Sequence, residues 1–254
     1  MAMNITHAII RGVPLSYDQC VTTQHDKINV ALARRQHAAY CYALEKAGAK
    51  LIVITADERL PDCCFVEDTV IVVDDLAIIT RPGAPSRRPE VKAVEEVMLK
   101  HKTVRRIVTP GTLDGGDVLR IGTKIFIGLS GRTTQQGLDQ VKEIASPLGY
   151  EVIAVPVHDT LHLKSVITAL NETHVVMSAG HFDVSLFSDY QQIVLPLEEA
   201  YAANCLSVNE MVFVPTGYPA TRAMIEAEGF YVVELENSEF KKGDGALTCL
   251  SVLF

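Results

Sequence analysis

The chain has 254 residues, 48% hydrophobic and 21% charged, proportions typical of a globular protein that buries a core. At ~150 residues per domain, that length allows one or two domains. A formal net charge of −8, from 23 basic and 31 acidic residues, disfavours a nucleic-acid-binding surface. No apolar run approaches the ~20 residues that span a bilayer, and the N-terminal MAMNITHAIIRG lacks the charged-then-apolar order of a secretory signal.

In chain order, THAIIRG (6–12) reads as a strand. Ile28, Leu32, Ala39 and Tyr42 then mark a helix ending at Gly48, followed by the strand LIVIT (51–55). FVEDTVIVVDDLAIITRPG (65–83) reads as strand, tight turn, strand, glycine. Val91, Val94 and Met98 give one apolar stripe to a helix over 89–100, before the strand RRIVT (105–109). The hairpin pattern recurs at 115–131 around Gly122 and Thr123. A helix carrying Leu138, Val141, Ala145 and Leu148 follows, then the strand YEVIAVPV (150–157). It recurs at 163–180 around Asn171 and Glu172, where HFDVSLFSDY holds only a short turn before QIVLP (192–196). At 202–217 it turns on Asn209 and Glu210, with a helix over 221–227 stopped by Gly229 and the strand FYVVEL (230–235).

The pattern is a repeat of strand, strand, helix, strand. Its clearest trace is NCLSV (204–208) against TCLSV (248–252). Five copies share the length, about 51 residues each. One copy is split by the termini: TCLSVLF supplies the first strand and THAIIRG the second. Pairing them closes a ring and removes exposed edges. The expected fold is therefore α/β, a five-bladed propeller of pseudo-fivefold ββαβ units, with 1–254 as a single domain.

A cyclic repeat gathers equivalent loops at one end. These loops (56–68, 111–117, 158–164, 198–205 and 236–249) hold Asp62, Glu67, Asp68, Asp114, Asp117, His162 and Cys249. Cys, His and carboxylate together suit a thiol nucleophile: the Cys attacks, the His moves protons and the acid orients the His. Cys249 follows the glycine-containing GDGALT, which permits close backbone approach to a ligand. Its repeat equivalent Cys205 lies in apolar AANCLSV, and Cys63 and Cys64 lie beside acidic residues that disfavour a thiolate. Cys41 falls on a helix, and Cys20 in an irregular loop stays open. Among histidines, His158 reads as a solvated loop residue and His174 as a strand residue. No CxxC pair exists, and no paired ligand spacing points to a metal. Six thiols in a chain of this kind are expected to be reduced in the cytoplasm.

FVED (65–68), LDGGDV (113–118), HLKS (162–165) and DGALTC (244–249), with TRPGAPSRR (80–88) and GLSGRT (128–133), resemble the dimethylarginine dimethylaminohydrolases. The likeness spans nearly the whole chain, and the family's five-bladed α/β propeller agrees with the five units. The resemblance implies hydrolysis of asymmetric dimethylarginine or monomethylarginine to citrulline and an amine. It implies Cys249 as nucleophile, His162 as general acid and base, and Asp114 as the carboxylate orienting His162. Some members carry Glu at that position, so the shorter Asp implies an adjusted or water-mediated contact. Asp68, with Glu67 beside it, is implied to grip the guanidinium. Arg87 and Arg132 are implied to hold the α-carboxylate, and Asp62 the α-amino group; a lid contact falls near Cys20 or Val21. Neither metal nor organic cofactor is implied; the partner is the small-molecule substrate, with no nucleic acid or membrane, and the protein is a monomer or homodimer. Arginine deiminases share most of these residues, but usually add a helical insertion for which this chain has no room, and Lys164 departs from their motif. A sensor of arginine-like amino acids would have no need of Cys249, His162 and Asp114, and a zinc hydrolase would lose activity to chelators.

Overall fold

The computed structural model describes residues 4–254; the first three residues of the N-terminal segment discussed above lie outside the described residues. Five sheets of three strands each form the frame. The first joins the two ends of the chain: β15 (Ser251–Leu253) pairs antiparallel with β1 (His7–Arg11), which pairs in parallel with β2 (Lys50–Ile54). The others repeat this plan. They are β3 (Val70–Val73), β4 (Leu76–Ile79) and β5 (Thr103–Arg106); β6 (Val118–Ile121), β7 (Lys124–Leu129) and β8 (Glu151–Pro156); β9 (Ile167–Ala169), β10 (His174–Met177) and β11 (Gln191–Val194); and β12 (Leu206–Val208), β13 (Met211–Pro215) and β14 (Tyr231–Leu235).

The local chemistry explains the units. Three of the hairpin tips place Asp74, Gly122 and Asn209 at φ of 50°, 58° and 53°, the left-handed backbone that two-residue hairpin turns demand. The tip at Asn171 is wider, and its side chain accepts hydrogen bonds from Thr173 N and His174 N instead. A parallel third strand needs a crossover. The crossovers are α1 (Val30–Lys46), α2 (Val91–Met98), α3 (Gln135–Ala145), the 3-10 turn Val184–Phe187, and α4 (Pro219–Ala227). Asn29 and Thr134 cap α1 and α3 through their side-chain oxygens.

Each crossover wedges its apolar stripe between two successive sheets. Val141 and Ala145 of α3 pack with Ile78 and Ile127, and Val94 and Met98 of α2 pack with Ile9 and Ile79. Ile225 of α4 joins Val176 and Val214, Phe187 joins Phe126 and Val175, and Leu44 of α1 joins Ile10 and Phe213. Each sheet thus shares a core with the sheet before it and the sheet after it, and the first and last in sequence share one too.

Two elements differ from expectation. α3 stops at Ala145, leaving Leu148 54% exposed, because Pro147 has no N–H and its ring crowds the preceding turn. The strand expected at 105–109 is β5 at Thr103–Arg106; beyond Ile107 the chain leaves the sheet toward Pro110, and Val108 is exposed. Among the described residues, no helix is long and apolar enough to cross a membrane.

Candidate active site

A short 3-10 turn precedes the first strand of every sheet: Val66–Thr69, Gly115–Asp117, Leu163–Ser165, Leu197–Ala203 and Thr248–Leu250. The sequence singles out the loops, and the structure concentrates their functional groups on these turns. Glu67 and Asp68 lie in the first, Asp117 in the second and Cys249 in the fifth, while Asp114 and His162 occupy the positions just before the second and third.

Hydrogen bonds stitch the turns into a circuit. Thr248 Oγ1 donates to Glu67 Oε2 (2.7 Å), and Gly116 N donates to Asp68 Oδ1 (2.8 Å). Leu163 N donates to Asp117 Oδ1 (2.9 Å). Asn204 Nδ2 donates to Lys164 O (2.8 Å) and Thr248 Oγ1 (3.0 Å), and Thr248 N donates to Asn204 Oδ1 (3.0 Å). Lys164 Nζ forms a 2.5 Å ion pair with Glu67, crossing from the third turn to the first.

His162 Nε2 lies 3.0 Å from Asp114 Oδ2, so of the two expected forms of the contact, adjusted or water-mediated, it is the direct one. Asp114 reaches far enough because it is itself fixed. Its Oδ1 accepts from Gly83 N (2.8 Å), and its backbone N–H donates to Thr133 Oγ1 (3.1 Å). Burial opposes charge on His162, but Asp68, Asp117 and Asp114 outweigh it and lift its pKa from 6.5 to about 9. The imidazole is therefore an imidazolium at neutral pH. The two glycines of LDGGDV are explained by this packing. A Cβ on Gly116 would come within 2.7 Å of His162 Nδ1 and 2.9 Å of Asp68 Oδ1, and one on Gly115 would collide with the Glu67 carbonyl.

Asp68 is buried, which by itself would disfavour its charge; the positive charges of His162 and Arg87 hold its pKa down at about 2. Arg87, also buried, donates from Nη1 to Asp68 Oδ2 (2.6 Å), from Nη2 to Phe65 O (2.9 Å) and from Nη2 to Glu90 Oε2 (2.9 Å). Arg132 is the freer of the two arginines. Its side chain is 20% exposed, and Nη1 lies 4.0 Å from Asp114. Buried Asp62 accepts from Val21 N (3.0 Å), and burial raises its pKa. Burial likewise raises Glu67, against the pull of Lys164. The Cys249 thiol is pushed up by burial and by the charges of Glu67 and Asp68, so it is neutral at neutral pH. Cys249 and Cys41 are the thiols that retain partial exposure; Cys20, Cys63, Cys64 and Cys205 are buried.

The fold thus draws Asp68, Asp114 and His162 together, with Arg87 tied to them through Asp68, while Glu67 is bound instead by Thr248 and Lys164. Cys249 follows Thr248, which bonds Glu67, and buried Asp62 is joined to the N-terminal loop through the Val21 N–H. Asp117, one of the acids in the singled-out loops, is a buried anchor that accepts from Ser130 Oγ and Thr133 Oγ1, both at 2.6 Å. Sequence reasoning missed Glu90, whose only signal is its i,i+3 spacing from Arg87. It also missed Asn204, whose signal is repeat equivalence to Thr248. Ligand spacing along the chain indicated no metal. In space, one oxygen each of Asp68 and Asp114 and one nitrogen of His162 lie within 4.8 Å of one another, though both carboxylates and the imidazole already hold protein partners.

Comparison with known proteins gives concordant matches. A family model described as N,N dimethylarginine dimethylhydrolase, eukaryotic, matches residues 16–199. The N(G),N(G)-dimethylarginine dimethylaminohydrolase of Pseudomonas aeruginosa is 38% identical over 98% of this chain and 99% of its own. That of Streptomyces coelicolor is 38% identical over 90% of this chain and 88% of its own. The structure of a cysteine-to-serine mutant of the Pseudomonas aeruginosa enzyme, complexed with citrulline, superposes with a TM-score of 0.95 at 37% identity, covering 98% of this chain and 99% of that one.

Proposed function

Because the chain belongs to the dimethylarginine dimethylaminohydrolase family, we propose that it hydrolyses N-omega-methylated arginines, releasing citrulline and dimethylamine or methylamine. The observation that carries this reading is a buried imidazolium, His162, held by Asp114 next to a buried carboxylate, Asp68, on the same circuit of turns as the partly exposed Cys249.

The substrate side chain is a planar cation, and Asp68 is the carboxylate that accepts its N–H groups. The resting thiol is neutral, so the cation does two jobs. It brings the electrophilic carbon to Sγ, and its positive charge favours loss of the thiol proton to solvent. The thiolate forms a C–S bond and a tetrahedral adduct. His162 gives its proton to the departing amine as the C–N bond breaks, leaving an S-alkylthiouronium on Cys249. Neutral His162 then takes a proton from water. The hydroxide adds to the same carbon; the C–S bond then breaks, and the hydroxyl proton passes to the departing sulfur, giving citrulline and the neutral thiol. The α-amino group falls to Asp62, and the α-carboxylate to Arg132; Arg87 joins the clamp on trading one of its bonds to Asp68 or Glu90. No metal or organic cofactor enters these steps.

We further read 1–254 as one catalytic domain whose five sheets are the blades of a closed propeller. The β15–β1 pairing, the core shared between the first and last sheets, and the circuit through all five turns support it. A cytoplasmic monomer or homodimer is the setting that suits six free thiols. The decisive experiment offers dimethylarginine, monomethylarginine and arginine in parallel and measures citrulline. The reading expects turnover of the methylated substrates and its loss in Cys249→Ser. A clear preference for arginine would instead establish a deiminase, binding without turnover a sensor, and loss of activity to chelators a metal site at Asp68, Asp114 and His162.

A further inference from the structure

The loop over 12–29 meets the candidate site where Val21 N donates to Asp62 Oδ1 (3.0 Å), and its two halves are held differently. Its base is anchored by packing. Tyr17 is buried in edge contact with Phe65 and tilted against Phe240, and Leu15 N and Ser16 N donate to Glu58 Oε2. A Cβ on Gly243 would come within 2.5 Å of the Tyr17 hydroxyl and 3.2 Å of Cys20 Sγ, so the base lies directly on the backbone that leads to Cys249. Its tip has no such packing: Val21 is 46% exposed, and Thr23 and Gln24 are exposed too.

One carboxylate holds that tip. Asp244 Oδ2 accepts from Thr23 N (2.5 Å) and Thr22 Oγ1 (3.2 Å), and Oδ1 accepts from Gln24 Nε2 (2.9 Å) and Thr23 Oγ1 (3.2 Å). Thr22 Oγ1 also lies 2.8 Å from Lys242 O. Asp244 can turn its carboxylate outward because its own backbone is left-handed, φ 55°, a conformation that Asp and Asn tolerate. The residue before Thr22 is Val21, whose N–H is bound by Asp62. The tip therefore joins two parts of the site: the acid assigned above to the α-amino group, and the loop that carries the nucleophile. Thr23, Gln24, Asp244, Tyr201, Gly245 and Ala246 also line a cavity of about 510 Å³ at this edge, so releasing the tip would widen an opening between loop and site.

We propose that Asp244 is a positioning residue, a latch that fixes residues 21–24 over the site and couples closure of that loop to the Cys249 segment. This rests on the catalytic reading above only where turnover is measured. Exposed hydrogen bonds are individually weak, so the latch depends on several donors converging on one carboxylate. Its opening is a local event that does not require the core to unfold.

The test breaks the latch from each side in the full-length protein. Asp244→Asn keeps the left-handed backbone but turns one acceptor into a donor. Thr22→Val with Gln24→Ala removes donors from the loop and leaves the nucleophile segment untouched. Each set is expected to speed amide exchange at both Val21 and Thr23 by at least ~10-fold, because the tip lifts as a unit. Each should also accelerate iodoacetamide labelling of Cys249, mapped by peptide mass, and raise KM for dimethylarginine about 10-fold while kcat falls less than ~3-fold. The combined variant should show little beyond either set alone, since both remove the same interaction. Multiplying effects in the combination would overturn the latch, as would Val21 protection and Cys249 labelling at wild-type rates in both sets. Exchange and labelling need no substrate. A wild-type protein that turns over no methylarginine would therefore refute the catalytic reading while those two measurements still judge the latch.

Discussion

His162 and Asp114 sit 48 positions apart, yet they meet at 3.0 Å, and Asp114 joins Asp68 and Asp117 in keeping His162 charged. The imidazolium is worth having only if it can part with its proton to the leaving amine, and a pKa of about 9 keeps it loaded at neutral pH. Asp114→Asn removes one of the negative charges that sustain it. The alkaline limb of kcat/KM, expected near pH 9 in the wild type, should then move down by about one unit, with kcat/KM falling on the order of 10²-fold. A pH–rate profile of both proteins checks this; an unmoved limb would assign that titration to another group. The same group links pH to stability. Its pKa is raised on folding, so its contribution is complete below its ordinary 6.5 and is lost as pH rises through about 9. Lys164 offers a second residue-scale prediction. Its partner Glu67 is buried, so Lys164→Met strands a carboxylate and should cost roughly 3 kcal/mol at neutral pH, less in acid where Glu67 takes up a proton. Urea melts at two pH values measure both numbers. Cys249 and His162 stand out as candidates in the sequence because their residue types are reactive and fall in equivalent loops. Glu90 was not, because a buried partner to an arginine looks like any surface glutamate until the fold removes the water.

At the scale of the element, the 3-10 turn is the functional unit. Each turns the chain from a third strand into the next first strand and exposes side chains and backbone N–H groups toward its neighbours. Hairpins and crossover helices were readable, since periods of two and of 3.6 leave a pattern. The turns were not, since three to seven residues in 3-10 form leave no readable period; they appeared only as polar loops. Their glycines distinguish tight turns from open ones. Gly116→Ala would press a methyl against His162 and Asp68, and should destabilise by about 1–3 kcal/mol with a marked loss of turnover. Gly131→Ala meets nothing within 4 Å and should stay within ~0.5 kcal/mol of wild type. Thermal melts of the two alanine variants decide this; equal losses would show that the crowding at Gly116 is relieved by movement of the loop. The early stop of α3 at Ala145 teaches the same lesson in reverse. The apolar spacing extended the helix to Leu148, and Pro147 overrode the spacing.

Across the whole molecule, the sheet made from both ends of the chain carries the most consequence. Phe254 N donates to His7 O (3.0 Å) and His7 N donates to Phe254 O (2.8 Å), so this pair stands where the other four units have a hairpin turn. Joining Phe254 to Asn4 with a short glycine-containing linker and opening the chain at the exposed pair Ala179 and Gly180 should give a circular permutant that keeps its thermal stability within a few degrees. A permutant that fails to fold would show that the covalent order of the five units matters, and not only their packing. The negative charge of the chain acts at this scale as well: some of its carboxylates face the site, where Asp62, Glu67, Asp68 and Asp114 suit a cationic substrate.

The sequence by itself determined the number of units, the order of strands and helices within each, the pairing of the two ends, and the residue types that can perform thiol chemistry. These follow from local rules: side-chain periodicity, turn chemistry and the reactivity of Cys, His and Asp. Only the tertiary structure decided that Asp114 meets His162 directly, that Arg87 is committed to Asp68 and Glu90 while Arg132 stays freer, that Asp117 is an anchor, and that Asp244 reaches across to the N-terminal loop. Those assignments depend on distances between residues far apart in the chain and on the loss of water around them. Both are set by how five sheets pack together, and neither leaves a mark in the local order of amino acids.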